Sequence, residues 1–275
     1  SKRPEQSRAR IQHFINSGLV LVNYKTAKAK TPLKNGDNVQ IWMPPPEPLI
    51  YLKPEKMDLE ILFEDEHIIV INKQSGLIVH PAPGHKSGTL VNGLLFHCND
   101  LPGINGKLRP GIVHRLDKDT SGCMVVAKSQ EALVNLQKQI KEKIASREYI
   151  AVIHGAPNSE EGQIVGHIGR DKFNRLKYKV VEEASGRYAC TYWKLKERLG
   201  NYSLMNFKLD TGRTHQIRVH CAHINHPIVG DPLYGRCKKL PCKLEGQALH
   251  AFKLGLIHPI NGKEMIFEAE LPLDF

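Results

Sequence analysis

Between Arg109 and Lys128, in the stretch RPGIVHRLDKDTSGCMVVAK, carboxylates, cations and hydroxyls crowd between two apolar runs. A carboxylate next to an arginine is poised to stay ionised, which suits a nucleophile or a charge stabiliser. Asp117, two residues after Arg115, is therefore the first candidate for chemistry. The same letters also spell an ordinary turn, because Asp and Ser-Gly are turn formers and surface Arg–Asp pairs are weak. Three further readings fail on their details. D-x-D-x-S-G opens like a calcium loop, but Lys128 stands at the twelfth position where a bidentate Glu is needed. The aspartyl-phosphate phosphatase pattern follows an uninterrupted apolar strand, and here His114 and Arg115 break the run. No glycine-rich phosphate cradle of the P-loop or dinucleotide type occurs.

The elements that must position Asp117 are two short β-rich runs, Gly111–Val113 and Met124–Ala127, read as strand–loop–strand with the charged residues at a sheet edge. Upstream, Ile61–Phe63 and Ile68–Ile71 read as strands, and a helix is expected near Thr89–Phe96. Downstream, Leu133, Leu136 and Ile140 carry a helical period within Glu131–Ile144. Strands follow at Tyr149–Ile153, near Tyr188–Lys194, at Tyr202–Leu209 and at Met265–Leu271, with a short helix after Thr214. Strands outnumber helices and are often joined by short turns. This predicts an α+β fold with a mixed, largely antiparallel sheet and flanking helices.

A net charge of +11 and a pI near 9.3 favour a polyanionic partner, nucleic acid before acidic membrane. No apolar run is long enough to span a bilayer, and no signal-peptide pattern opens the chain. The six cysteines lack a C-x-x-C spacing, so reduced, buried thiols and a cytoplasmic setting are expected. The His- and Cys-rich part from His215 to Cys242 contains no recognised metal-ligand set, and no metal is expected there. Residues 1–43 read as a small basic module carrying Arg8 and Arg10, and 44–57 as a Pro-rich linker. Residues 58–275 then form the main domain. In HIGRDKFNRLKYK, at 167–179, Arg170, Lys172 and Arg175 alternate with aromatics, a composition suited to phosphates and exposed bases. A solvated edge strand is the alternative there.

H-R-L-D-x-x-T-S-G followed by an apolar strand resembles the signature of the RluA-type RNA pseudouridine synthases. REYIAVIHG at 147–155, LDTGRTHQIRVH at 209–220, HPIVGDPLYG at 226–235 and ALHAFKLGLIHP at 248–259 follow in the family's order. The N-terminal module, SRARIQHFINSGLVLVN with a G-D-x-V-x-I ending, is similar to a truncated S4 RNA-binding module. The resemblance implies a mixed sheet with a central cleft and isomerisation of uridine to pseudouridine in structured RNA without a cofactor. Large-subunit ribosomal RNA is the implied substrate, as in the RluD-like branch, with tRNA second and action as a monomer. It makes Asp117 the nucleophile and Asp119 dispensable. Arg218 becomes its ionic partner, whose fork can hold a carboxylate bidentately. Tyr149 becomes the base-stacking residue, and Arg115 the side chain that fills the space left by a flipped nucleotide. Lys73, His80, His114, Arg213 and His215 are expected along the RNA-binding cleft. A non-catalytic RNA-binding or ribosome-assembly factor on the same scaffold is the competing reading.

Overall fold

The computed structural model describes residues 8–42, 52–81, 85, 87–98, 101, 110–235, 244–272 and 275. They fall into two units, Ser1–Tyr51 and Leu52–Phe275. The division lies inside the stretch expected to be linker, most of whose prolines lie outside the described residues. Residues 52–57 belong to the larger unit: Lys53 accepts from Asn92, and Met57 packs against Gly93.

The first unit is a helix, α1 (Arg8–Asn16), and three short strands, β1 (Val20–Val22), β2 (Lys25–Thr26) and β3 (Val39–Ile41), in the order β2-β1-β3. Phe14, Val20 and Ala27 make its small core.

The second unit runs β4 (Ile61–Glu64), β5 (Ile68–Lys73), α2 (Leu90–His97), β6 (Ser121–Ala127), α3 (Gln130–Lys141), β7 (Ser146–His154), β8 (Glu161–Arg170), β9 (Tyr178–Val181), β10 (Arg187–Leu199), β11 (Tyr202–Leu209), α4 (Gln216–His223), β12 (Leu249–Ile257) and β13 (Glu264–Glu268). Its ten strands form one sheet in the order β4-β5-β6-β12-β7-β11-β10-β8-β9, with β13 on β12. Only the β6–β12 pairing is parallel, so the sheet is mixed and largely antiparallel. Alternation along β5 and β6 sends Ile69, Ile71, Met124 and Val126 to one face, with Tyr149 and Phe207. Ile68, Val70, Cys123 and Val125 go to the other, under Ala132 and Leu136 of α3. Ser129 caps α3 by accepting from Ala132 N–H at 3.2 Å.

The expected strand at Gly111–Val113 is absent. β5 occupies one edge of β6 along its length and β12 the start of the other, so only Ile112 bridges, to Val126. Conversely β6 begins earlier than its apolar run, at Ser121–Gly122. Gly122 has φ 112° and lies against the Ala251 backbone, where a Cβ would collide with the Ala251 carbonyl oxygen. A dipeptide that reads as a turn is thus a strand start that lets β12 approach. Cys98, Cys123, Cys190 and Cys221 are free and buried, while Cys237 and Cys242 lie outside the described residues. Among the described residues no helix is long and apolar enough to cross a membrane.

Candidate active site

Asp117 sits on the loop entering β6, and that loop is fastened from beneath. The Lys73 ammonium, 1% exposed, donates to the carbonyls of Gln74 (2.7 Å), Leu77 (2.9 Å) and Lys118 (2.9 Å). Gln247 donates to Thr120 Oγ1 at 2.9 Å, and Ser121 Oγ lies 2.8 Å from His250 Nδ1. Burial pushes the Lys73 pKa down to about 7, against the attraction of Asp119 and Asp117. Lys73 is therefore not a cleft-lining RNA contact, as expected from sequence, but an internal strut, because all three of its donors are spent on carbonyls. Asp119 makes no side-chain hydrogen bond among the described residues, and its carbonyl accepts from Ser75 at 3.2 Å.

Arg218 reaches Asp117 from the first turns of α4. Its Nη1 donates to Asp117 Oδ2 at 2.9 Å across 101 residues of chain. The guanidinium's fork, however, is on Asp231: Nε–Oδ2 is 2.8 Å and Nη2–Oδ1 3.0 Å. The expectation of a bidentate grip on Asp117 is thus corrected. Asp231, whose side chain is fully buried, takes the fork, and Asp117 Oδ1 has no hydrogen-bond partner among the described residues. Burial opposes the charge of Arg218, yet Asp231 and then Asp117 outweigh it and hold its pKa above the ordinary guanidinium value. Asp231 Oδ1 also accepts from the backbone of Leu233 (2.8 Å) and Tyr234 (2.9 Å), so one carboxylate sets both the arginine and the turn carrying Tyr234. In sequence this Asp lies within GDPLYG, where an Asp beside Gly and Pro has the composition of a turn and no mark of an ion-pair partner.

His215, backed by Tyr234, closes one wall. Tyr178 N–H donates to the Tyr234 hydroxyl at 2.8 Å, which leaves that hydroxyl's proton for His215 Nδ1 at 2.9 Å. The opposite ring nitrogen, Nε2, then carries its hydrogen toward Asp117 Oδ2, 3.9 Å away. Burial lowers the His215 pKa despite Asp117, and pushes that of Tyr234 up to about 12. His215 caps α4 with left-handed backbone, φ 56°, a conformation non-glycine residues hold where the surroundings enforce it. The enforcing contacts are those of Gln216, which accepts from Arg213 N–H and Thr211 Oγ1 and donates to the Cys190 carbonyl.

These groups face a cleft of about 570 Å³. Its lining includes Asp117, Arg218, Tyr149, Arg115, His80, His114, Arg213 and His215. Tyr149 projects from β7, 6% exposed, with its hydroxyl unbonded among the described residues and its pKa raised by burial and by Asp117, against the influence of Arg147. Arg115 is exposed on the cleft wall. His114 turns its ring inward: Nε2 accepts from Val125 N–H at 3.1 Å, and burial together with Arg147 takes its pKa down to about 3. Arg213 Nε donates to the Tyr188 carbonyl at 2.8 Å. Arg170, Lys172 and Arg175 lie outside this cleft, exposed on and after β8. Arg170 Nη2 donates to the Tyr178 hydroxyl at 3.2 Å, and the Tyr178 ring meets His215 at 5.5 Å, so the base of the β8–β9 hairpin touches the site. Arg8 and Arg10 lie on α1, and their side chains are outside the described residues.

The arrangement is a carboxylate bonded to one arginine, with one oxygen open to a cleft and an aromatic ring nearby. It can act as a nucleophile or as a base toward a group bound in the cleft.

Comparison with known proteins gives the family of the chain. The sequence profile described as RNA pseudouridylate synthase matches residues 67–223. An uncharacterized RNA pseudouridine synthase of Synechocystis sp. is 49% identical over 274 residues, covering 99% of this chain and 84% of that protein. The ribosomal large subunit pseudouridine synthase D of Zymomonas mobilis is 44% identical, covering 98% and 87% respectively. The solved structure of human RNA Pseudouridylate Synthase Domain Containing 4 superposes with a TM-score of 0.61 at 25% identity, over 78% of this chain and 89% of its own.

Proposed function

The chain belongs to the RNA pseudouridylate synthase family, and on that premise we propose that Asp117 is the carboxylate with which it isomerises uridines of large-subunit ribosomal RNA. The observation that carries this reading is the 2.9 Å bond from Arg218 to Asp117 Oδ2, with Oδ1 left open to the cleft that Tyr149 lines. The C1′–N1 bond of the target nucleoside breaks and its electron pair leaves with uracil. The freed base turns, C1′ bonds to C5, the C5 proton is lost and N1 gains one. Atoms and charge balance without an outside reactant. Asp117 either adds to C1′ or removes the 2′ proton, and both routes need it ionised.

Tyr149 stacks on the extruded base, and Arg115 enters the place the base leaves. Arg213, His215, His80 and the hairpin cations Arg170, Lys172 and Arg175 hold the surrounding RNA. The N-terminal unit acts as an S4-like RNA-binding module that adds affinity through its basic helix. Ribosomal rather than transfer RNA is supported by relatives named ribosomal large subunit pseudouridine synthase D at 42–44% identity. The protein works as a monomer in the cytoplasm.

Asp117→Asn tests the reading. Tritium release from C5-tritiated uridine in a large-subunit rRNA transcript falls by about a thousandfold or more. RNA binding and melting temperature stay near those of the parent. Full activity in Asp117→Asn removes Asp117 from its role, and release from tRNA but not rRNA transfers the substrate.

A further inference from the structure

The cations that line the cleft differ in depth and in partners. Arg115, Lys141 and Lys143 are exposed at its edge, and Lys143 is already paired with Asp210 at 2.6 Å. Arg218 is spent on Asp231 and Asp117. Arg147, on β7, is different. It is 7% exposed, its Nε is buried without a hydrogen-bond partner, and no carboxylate pairs with it among the described residues. Its Nη1 lies so close to Gly212 that a Cβ there would stand 2.7 Å away, so the guanidinium is seated against bare backbone at the cleft.

A buried arginine without a counter-charge is costly, and it persists in a fold where something else supplies the negative charge. The neighbours do not. Asp117 and Asp210 pair with Arg218 and Lys143, and neither lies within salt-bridge distance of Arg147. Burial keeps the Tyr149 phenol protonated and His114 neutral. Arg147 and Tyr149 are alternate residues of one strand and so share its cleft face, about 7 Å apart along it. A uracil stacked on Tyr149 thus presents its oxygen-bearing edge within reach of Arg147.

Resting on the assignment of Asp117 and Tyr149 above, we propose that Arg147 contacts a uracil carbonyl oxygen and stabilises the anion that forms when the C1′–N1 bond breaks. The departing electron pair spreads from N1 onto O2 and O4, and a fixed guanidinium is most effective where such charge develops. The depth of Arg147 separates it from the edge cations, which suit the phosphates of the chain.

The test compares Arg147→Met and Arg147→Lys with the parent in the full chain, in single-turnover reactions on a large-subunit rRNA transcript. Arg147→Met slows the chemical step by about 10²–10³-fold while Kd and its salt dependence hold. Arg147→Lys recovers about tenfold or more of that loss, since it keeps the charge. With 5-fluorouridine in the RNA, whose base leaves as a weaker-basicity anion, the Arg147→Met defect shrinks when followed as loss of the nucleoside. Melting of Arg147→Met is no lower than the parent's, since an uncompensated buried charge is gone. A rate within about threefold of the parent overturns the proposal. So does a loss confined to Kd with a salt slope smaller by about one, the sign of a phosphate contact. A loss of the same size on uridine and 5-fluorouridine RNA, with lowered melting, also overturns it by marking a structural role. Should Arg147→Met fail to fold, Arg147→Gln takes its place beside Arg147→Lys. Asp117→Asn, run alongside, separates the two claims: if it is inactive while Arg147→Met is not, only this inference falls.

Discussion

Asp231→Asn is the sharpest probe of the site, because the substitution preserves volume and removes one charge. Asparagine Oδ1 can still accept from the backbone of Leu233 and Tyr234, as Asp231 Oδ1 does at 2.8 and 2.9 Å. That choice turns the amide nitrogen toward Arg218 Nε, where Asp231 Oδ2 now accepts at 2.8 Å. Donor then faces donor, and flipping the amide only moves the clash to the Leu233–Tyr234 turn. Breaking a buried ion pair costs about 3–5 kcal/mol. Arg218 retains Asp117 at 2.9 Å, which places the loss near the lower end.

About 3 kcal/mol corresponds to a melting temperature lower by about 6–12 °C in a domain of this size. The guanidinium, no longer anchored, also lets Asp117 drift, and a misplacement near 1 Å costs about a hundredfold in rate. Thermal melting by circular dichroism and single-turnover tritium release measure the two effects. Melting within about 2 °C of the parent, with an unchanged rate, would refute the anchoring role of Asp231.

Lys73→Met leaves the Gln74, Leu77 and Lys118 carbonyls without their donor, and urea unfolding registers a loss of about 3 kcal/mol. RNA affinity of that variant, measured on folded protein, stays at the parent value, because the ammonium does not face the cleft. Acid lowers stability through histidines whose folded pKa lies below the unfolded value: His114 at about 3 and His220 at about 4, with His215 and His250 shifted the same way. Below pH 6.5 the unfolded chain takes up protons that the native rings refuse, so the histidine contribution to stability is full above that pH and declines toward pH 4. His114 alone accounts for about 2 kcal/mol at pH 5, and urea midpoints for the parent and His114→Asn should converge as pH falls from 7 to 5.

The β-strand content, α2, α3 and α4 were legible because apolar periodicity and caps are local signals. So was the charged loop that carries Asp117 to the cleft, announced by its neighbours on the chain. What the sequence conceals is direction. Lys73 follows the apolar run Ile68–Ile71 and is read as a cation at a strand end; only the fold shows it turned inward onto three carbonyls. β12 carries no turn signal of its own and was not resolved as a strand, although it joins β6 to β7 in the centre of the sheet. Its place depends on Gly122 admitting a neighbouring backbone, and that fact appears only once both strands are present. The partner of Arg218 was hidden for a related reason. Charges are paired in sequence by expected chemistry, and Asp117 draws the fork that the buried Asp231 holds in the fold.

The division of labour on Arg218 follows from geometry. A fork closed on Asp117 would occupy both of its oxygens and leave none for a sugar. By giving Nε and Nη2 to Asp231 and only Nη1 to Asp117, the site fixes Asp117 through Oδ2 while Oδ1 stays uncommitted. His215 Nε2, 3.9 Å from the same Oδ2, adds its dipole on the side already bonded, not on the open one. Lysine at position 218 could supply the charge but could not hold two carboxylates in fixed directions at once. The buried Asp231 is thus what allows the arginine to hold Asp117 by one oxygen and leave the other free toward the cleft.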